Sequence, residues 1–202
     1  MSLESPPSVG PGRPREFDFD DAVRDAVVVF QTHGYTATSM VHLIEGTGLS
    51  RGSLYKAFSD KHSLFLAALD RYTSDGLSRL SNDLDKEPAR EAIRATLQHY
   101  ARLSTARKGR RGCLVTAAAT ELLPTDDEVR ERVSAMFKRM QNLLAAAIRK
   151  GQSSGDISTR HEAQTLARFL LCTIEGMRVL GKTGPSEAEM EALIAIAVNA
   201  LD

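Results

Sequence analysis

From about residue 19 onward, apolar residues recur at intervals of three and four, the spacing that gives a helix one buried stripe. Ala22, Ala26, Val27, Val29 and Phe30 form the first stripe, which Gly34 stops, with Asp18 as the expected N-cap and Asp21 three positions in. A short helix is expected after Thr38 or Ser39, carrying Met40, Leu43 and Ile44 and ending at Gly46 or Gly48. Ser50 caps a third, with Leu54, Tyr55 and Phe58, and Asp60 opens a longer fourth over about 60–77. Three short helices on tight Gly and Ser turns, then a connecting helix, outline a helix-turn-helix module.

Past Asp85 the helices lengthen and their apolar residues become smaller and more aliphatic. They are expected at about 88–108, 113–123, 126–153, 159–182 and 186–200, with Pro88 suited to a first turn, Pro124 to a break, and Gly155 and Gly184 to sharp reversals. No segment has strand period and no repeat is visible. The expected fold is all-α with about nine helices. An arm over 1–15, rich in Pro, Ser and Gly and read as disordered, precedes a reading domain over 16–60 and a larger helical domain over 61–202.

Composition narrows the classes. The 202 residues suffice for a sizeable core, and no apolar run approaches the roughly 20 residues that a bilayer requires. With no export signal either, a cytoplasmic protein is expected. Cys113 and Cys172 lie far apart and outside any CxxC or Cys/His pattern, so neither a disulfide framework nor a zinc site is expected. The 26 basic residues balance 26 acidic ones, so any affinity for nucleic acid rests on where individual cations sit. Walker, strand-coupled GxGxxG, HExxH and GxSxG motifs are missing, and His33, His42, His62, His99 and His161 show no ligand spacing. No enzyme, cofactor or metal is therefore expected.

Residues Thr38 to Phe58 read TSMVHLIEGTGLSRGSLYKAF. Hydroxyls at helix N-caps aim backbone N–H groups outward toward phosphate, so Thr38, Ser39 and Ser50 are candidate DNA-backbone anchors. Gly52 permits close approach to base edges, Arg51 suits guanine, and Ser53 suits either kind of edge. Tyr55, Lys56 and Lys61 are candidate phosphate contacts. The same residue types taken singly serve as caps, half-buried aromatics and solvated cations. Their ordered set, with GRPREFD before it and DKHSLFLAALDRY after it, resembles the DNA-binding signature of the TetR/AcrR family over roughly Arg13 to Tyr72. One departure is Ala57, where many members carry His or Tyr. Acidic Glu16, Asp18, Asp20, Asp21 and Asp25 crowd the first helix, would repel phosphate and are expected to face away. Arg13 and Arg15 in the arm are candidate minor-groove contacts, with a plain solubilising tail as the alternative.

The resemblance implies a dimeric, ligand-released repressor on a pseudo-palindromic double-stranded DNA operator. It implies that the last two long helices form a homodimer interface, with Ala167, Leu170, Leu171 and Ile174 on one and Leu193, Ile194, Ala197 and Leu201 on the other. It also implies a pocket for a small-molecule effector among the central helices. Leu97, Tyr100, Leu103, Cys113, Ala117, Met136, Phe137, Met140, Phe169, Thr173 and Met177 are its candidate lining, and core packing is the alternative for each. Two other functions stay open: a regulator that senses oxidants or electrophiles through Cys113, which opens a helix after Arg107, Lys108, Arg110 and Arg111, and a helical dimeric interaction protein without DNA affinity.

Overall fold

The computed structural model describes residues 19–202; Arg13, Arg15, Glu16 and the expected cap Asp18 lie outside the described residues. Ten α-helices and no strand occur among them: α1 (Phe19–Ala37), α2 (Met40–Thr47), α3 (Arg51–Ala57), α4 (Lys61–Leu84), α5 (Ala89–Leu103), α6 (Ala106–Arg111), α7 (Leu114–Leu122), α8 (Asp127–Ser154), α9 (Ala163–Leu180) and α10 (Glu187–Asn199).

The expected punctuation of the first half is found. Gly34 sits at φ 75° and bends the end of α1. Ser39 caps α2 by accepting from the His42 N–H, and the left-handed Gly48 (φ 67°) ends it. Ser50 caps α3 and Asp60 caps α4 in the same way. Phe30, Leu43, Leu54, Phe58, Leu64 and Phe65 close the small core that fixes α1, α2 and α3 against the start of α4.

Two boundaries differ most from expectation, and α9 also starts at Ala163 rather than near 159. The connecting helix runs to Leu84 rather than residue 77, because Leu77, Leu80 and Leu84 continue its buried stripe. The helix expected over 88–108 breaks at Ser104 and Thr105 into α5 and α6, which supplies the tenth helix. Tertiary contacts cause that break. The buried Arg178 guanidinium of α9 donates to the Leu103 and Gly112 carbonyls, and Gly181 presses so closely that a Cβ there would lie 2.7 Å from the Ser104 carbonyl oxygen.

The second half is a bundle in which α8 packs along α9, both cover α5, and α8 also lies along α4, with α10 against α5. No helix among the described residues is long and apolar enough to cross a membrane.

Candidate DNA interface and effector cavity

Short capped helices present one open face. On α3 only Leu54 is buried, while Arg51, Gly52, Tyr55 and Lys56 are exposed. The Arg51 guanidinium lies 5.7 Å from the Tyr55 ring centroid, so cation and phenol form one unit. Nothing inside the fold demands glycine at position 52: a Cβ there would meet only Ser50 Oγ, at 3.9 Å. The space it leaves opens outward, on the exposed side of α3. Ser53 shares a 3.0 Å hydrogen bond with Ser50, and Ser39 caps α2 beside the exposed Val41.

Two residues expected at DNA are engaged within the protein. Thr38 is 2 % exposed, and its hydroxyl donates to the Gly34 carbonyl at 2.5 Å. Lys61 Nζ donates to the Tyr35 and Thr38 carbonyls at 3.0 Å each and lies 4.3 Å from the Tyr35 ring centroid. Its ammonium ties α4 to the α1–α2 turn, a role that spacing alone does not separate from phosphate contact. On α1, Arg24 pairs with Asp21 at 2.6 Å and with Asp25 at 3.5 Å, so a cation offsets part of the acidic cluster.

Three hydrogen bonds, beside the packing of α1 on α7, join this reading head to the larger bundle. Glu121 of α7 accepts from the Thr36 N–H at 3.0 Å. His62 Nε2 lies 2.7 Å from Asp126 Oδ2 at the start of α8. Burial works to raise the Asp126 carboxyl, but the Val129 N–H and the His62 ring outweigh it and hold the group below its ordinary range. Gln31 Nε2 lies 3.5 Å from the Gly112 carbonyl, the same oxygen to which Arg178 donates at 2.7 Å. Gly112 also lines a cavity of about 340 Å³ bounded by α4 to α9, at the lower end of the range for small-molecule sites.

Of the residues expected to line an effector pocket, the cavity gathers Tyr100, Leu103, Cys113, Met136 and Met140. Leu97 and Met177 are core, and Ala117 and Phe137 pack outside the cavity; Thr173 back-bonds to the Phe169 carbonyl, and Phe169 is exposed on the outer surface. Sequence reasoning missed Tyr72, Thr96, Arg79, His99, Arg111, Glu175 and Arg178 on the wall. Their one visible signal is polarity on otherwise apolar stripes, as at Thr96, Glu175 and Arg178.

Cys113 is buried at the start of α7 and receives a 3.6 Å contact from the Tyr72 hydroxyl, while Cys172 is exposed on α9. Burial, then the neighbouring Cys113, pushes the Tyr72 phenol up. Burial, then Glu175, pushes Tyr100 up to about 12, so it stays a donor. Burial also raises the Glu175 carboxyl, opposed by the hydrogen bond from Thr116 at 2.9 Å and by Arg178.

The helices expected at a dimer interface are present, but most chosen residues face inward. Ala167, Leu170, Ile174, Ile194, Ala197 and Leu201 are core, Leu171 is half-buried and Leu193 is exposed. The large apolar residues that these two helices leave exposed are Leu193 together with Phe169, Val179, Leu180 and Ile196, the last 67 % exposed. Both sides of α9 and α10 are apolar, so periodicity located the helices but not the free face.

Residues 23–68 match the family described as bacterial regulatory proteins, tetR family, and residues 89–196 match the tetracyclin repressor-like C-terminal domain. The HTH-type transcriptional repressor ComR of Escherichia coli (strain K12) is 30% identical, over 94% of this chain and 90% of its own length. A cysteine mutant of the TetR family transcriptional regulator CifR, complexed with a 26-base-pair double-strand operator DNA, is 31% identical. It superposes with a TM-score of 0.83 over 94% of this chain and 100% of that one. The reduced form of E. coli NemR, 20% identical, shares the fold with a TM-score of 0.80 over 91% and 97% of the two chains.

Proposed function

The chain belongs to the TetR family of bacterial DNA-binding transcriptional regulators, and from that premise we propose that it is a cytoplasmic, ligand-released repressor acting as a homodimer on a pseudo-palindromic operator. The observation that carries the reading is the open face of α3, where Arg51, Gly52, Tyr55 and Lys56 stand exposed on a helix whose other side is locked into the core by Leu54. Arg51 reads a base edge in the major groove, and Tyr55 and Lys56 hold phosphates on either side of it. One such head covers few base pairs, so a second copy is needed to read a second half-site in register. The apolar strip of Phe169, Val179, Leu180, Leu193 and Ile196 is the surface on which that copy docks.

The roughly 340 Å³ cavity is the effector site. One continuous helix, α4, carries Lys61 and His62 in the reading head and Tyr72, Arg79 and Leu80 on the cavity wall. A ligand that prefers a wider separation of the two heads draws the population off DNA through its differential affinity for the two states. The thiol-sensing alternative rests on Cys113, which lies on the cavity wall against the Tyr72 hydroxyl, and the DNA-inert alternative on Ala57 and the acidic residues of α1.

Selection of bound fragments from the host genome at two salt concentrations tests this reading. Enrichment of a pseudo-palindrome is expected, and Arg51→Ala should weaken it by about 5- to 150-fold, the worth of one bidentate base contact. No enrichment even at low salt would refute the proposal.

A further inference from the structure

Charge is unevenly satisfied around the cavity. Two of its wall carboxylates are neutralised from outside it: Asp75 by Arg71 Nε at 3.0 Å and Asp83 by Lys86 Nζ at 2.8 Å. The third, Glu175, is engaged by Thr116, and the buried Arg178 one turn further on is consumed by the Leu103 and Gly112 carbonyls. Three other cations on the wall have no such partner. Arg79 faces the ring nitrogen of His99 at 3.3 Å, and Lys108 and Arg111 pair with no carboxylate among the described residues. Burial, then Arg79, with Arg102 and Lys108 adding to it, holds the His99 ring below its usual range, which fits a neutral imidazole accepting from Arg79.

A second, independent observation points to an occupant. Thr96 is 2 % exposed, and its hydroxyl oxygen is the one buried side-chain polar atom among the described residues without a hydrogen-bond partner. It lines the cavity on α5, three and four residues before His99 and Tyr100, so the three share a helical face beside Arg79. Threonine in a helix ordinarily bonds back to a carbonyl one turn earlier. Here a hydroxyl and a protonated phenol stand on the cavity wall with donors to offer, on the helix face that carries His99 beside Arg79. The rest of the wall, with Leu80, Leu103, Val115, Met136 and Met140, is apolar and adaptable.

We infer that the cavity takes a small amphipathic monoanion such as a carboxylate, its charged end held by Arg79 and Arg111 with Lys108, and its apolar body against Met136 and Met140. Thr96 and Tyr100 supply hydrogen bonds to the same charged end. The assignment rests on the cavity being the effector site only for its consequence at DNA; binding of the anion itself does not depend on that reading.

Three probes with one tail and different heads decide the matter on the full-length protein: 4-phenylbutyrate, 4-phenylbutanol and 4-phenylbutylamine, measured by calorimetry at low and high salt. The carboxylate should bind about 10-fold or more tighter than the alcohol, the gain expected of charge-assisted hydrogen bonds, and lose that advantage at high salt. The amine should bind weakest. Arg79→Gln with Arg111→Gln should bring the carboxylate down to the level of the alcohol while leaving the alcohol unchanged. If that variant does not fold, the order of the three probes on the unaltered protein still decides. Equal or tighter binding of the alcohol or amine overturns the inference, as does failure of all three probes to bind. Operator binding by the same preparation would show that the regulator reading survives such a failure, whereas anion binding without any DNA binding would remove that reading and leave this one.

Discussion

Lys61→Met separates two roles for one lysine. Lys61 opens α4, where a cation is opposed by the helix dipole, yet its ammonium is held by the Tyr35 and Thr38 carbonyls at 3.0 Å and by the Tyr35 ring at 4.3 Å. Hydrogen bonds from a charged group contribute about 1.5–3 kcal/mol each, and an exposed cation–π contact roughly 0.5–1 kcal/mol. The site is only half-buried, so water replaces part of what methionine removes, and the net loss should be about 2 kcal/mol. For a chain of this size that lowers the melting temperature by roughly 4–8 °C. A lysine bound to phosphate behaves differently. Its loss leaves the melting temperature in place and reduces the slope of log affinity against log salt by about 0.9 per contact. The assay is therefore paired: thermal unfolding of the free protein, and operator affinity across a salt series. A lower melting temperature with an unchanged slope is expected. An unchanged melting temperature with a reduced slope would refute the structural role.

Ile196→Glu puts a charge on the exposed strip of α9 and α10 and should convert the dimer to monomer by sedimentation, with operator affinity falling by at least about 100-fold because two half-sites no longer act together. A dimer that persists would remove that strip as the interface. Glu175→Gln tests the raised carboxyl of the cavity. Its folded-state pKa lies above the unfolded value near 4.5, so the native carboxyl favours stability below that value and loses the benefit as pH rises through its folded titration. The glutamine variant should melt higher than the native protein at pH 8, and the gap should close as pH falls toward 4.5; a gap that widens on acidification contradicts the assignment.

The reading head was legible from the chain because each of its decisions is local. Ser39, Ser50 and Asp60 satisfy backbone donors three residues ahead, Gly48 supplies a left-handed turn, and the short stripes around Leu43 and Leu54 allow only one buried side. Such features lie within one helical turn, and a sequence displays them directly. The all-α class and the order of the long helices were equally visible, since a period of 3.6 survives whatever the helices pack against.

Tertiary structure alone decided the rest. Only contact between distant residues breaks the helix at Ser104, because Arg178 donates to the Leu103 carbonyl and Gly181 packs against the Ser104 carbonyl, both more than 70 positions away. Only packing tells that Leu170 and Ile194 face the core while Phe169 and Ile196 face outward, since both sides of those helices are apolar. Lys61 reads as a phosphate contact or a solvated cation until the fold brings the Tyr35 carbonyl beneath it, and Thr96 is only a polar residue on an apolar stripe until α5 turns it into a cavity. Caps, turns and periodicity are properties of neighbours along the chain; burial, electrostatic partners and cavities belong to residues that folding alone makes neighbours.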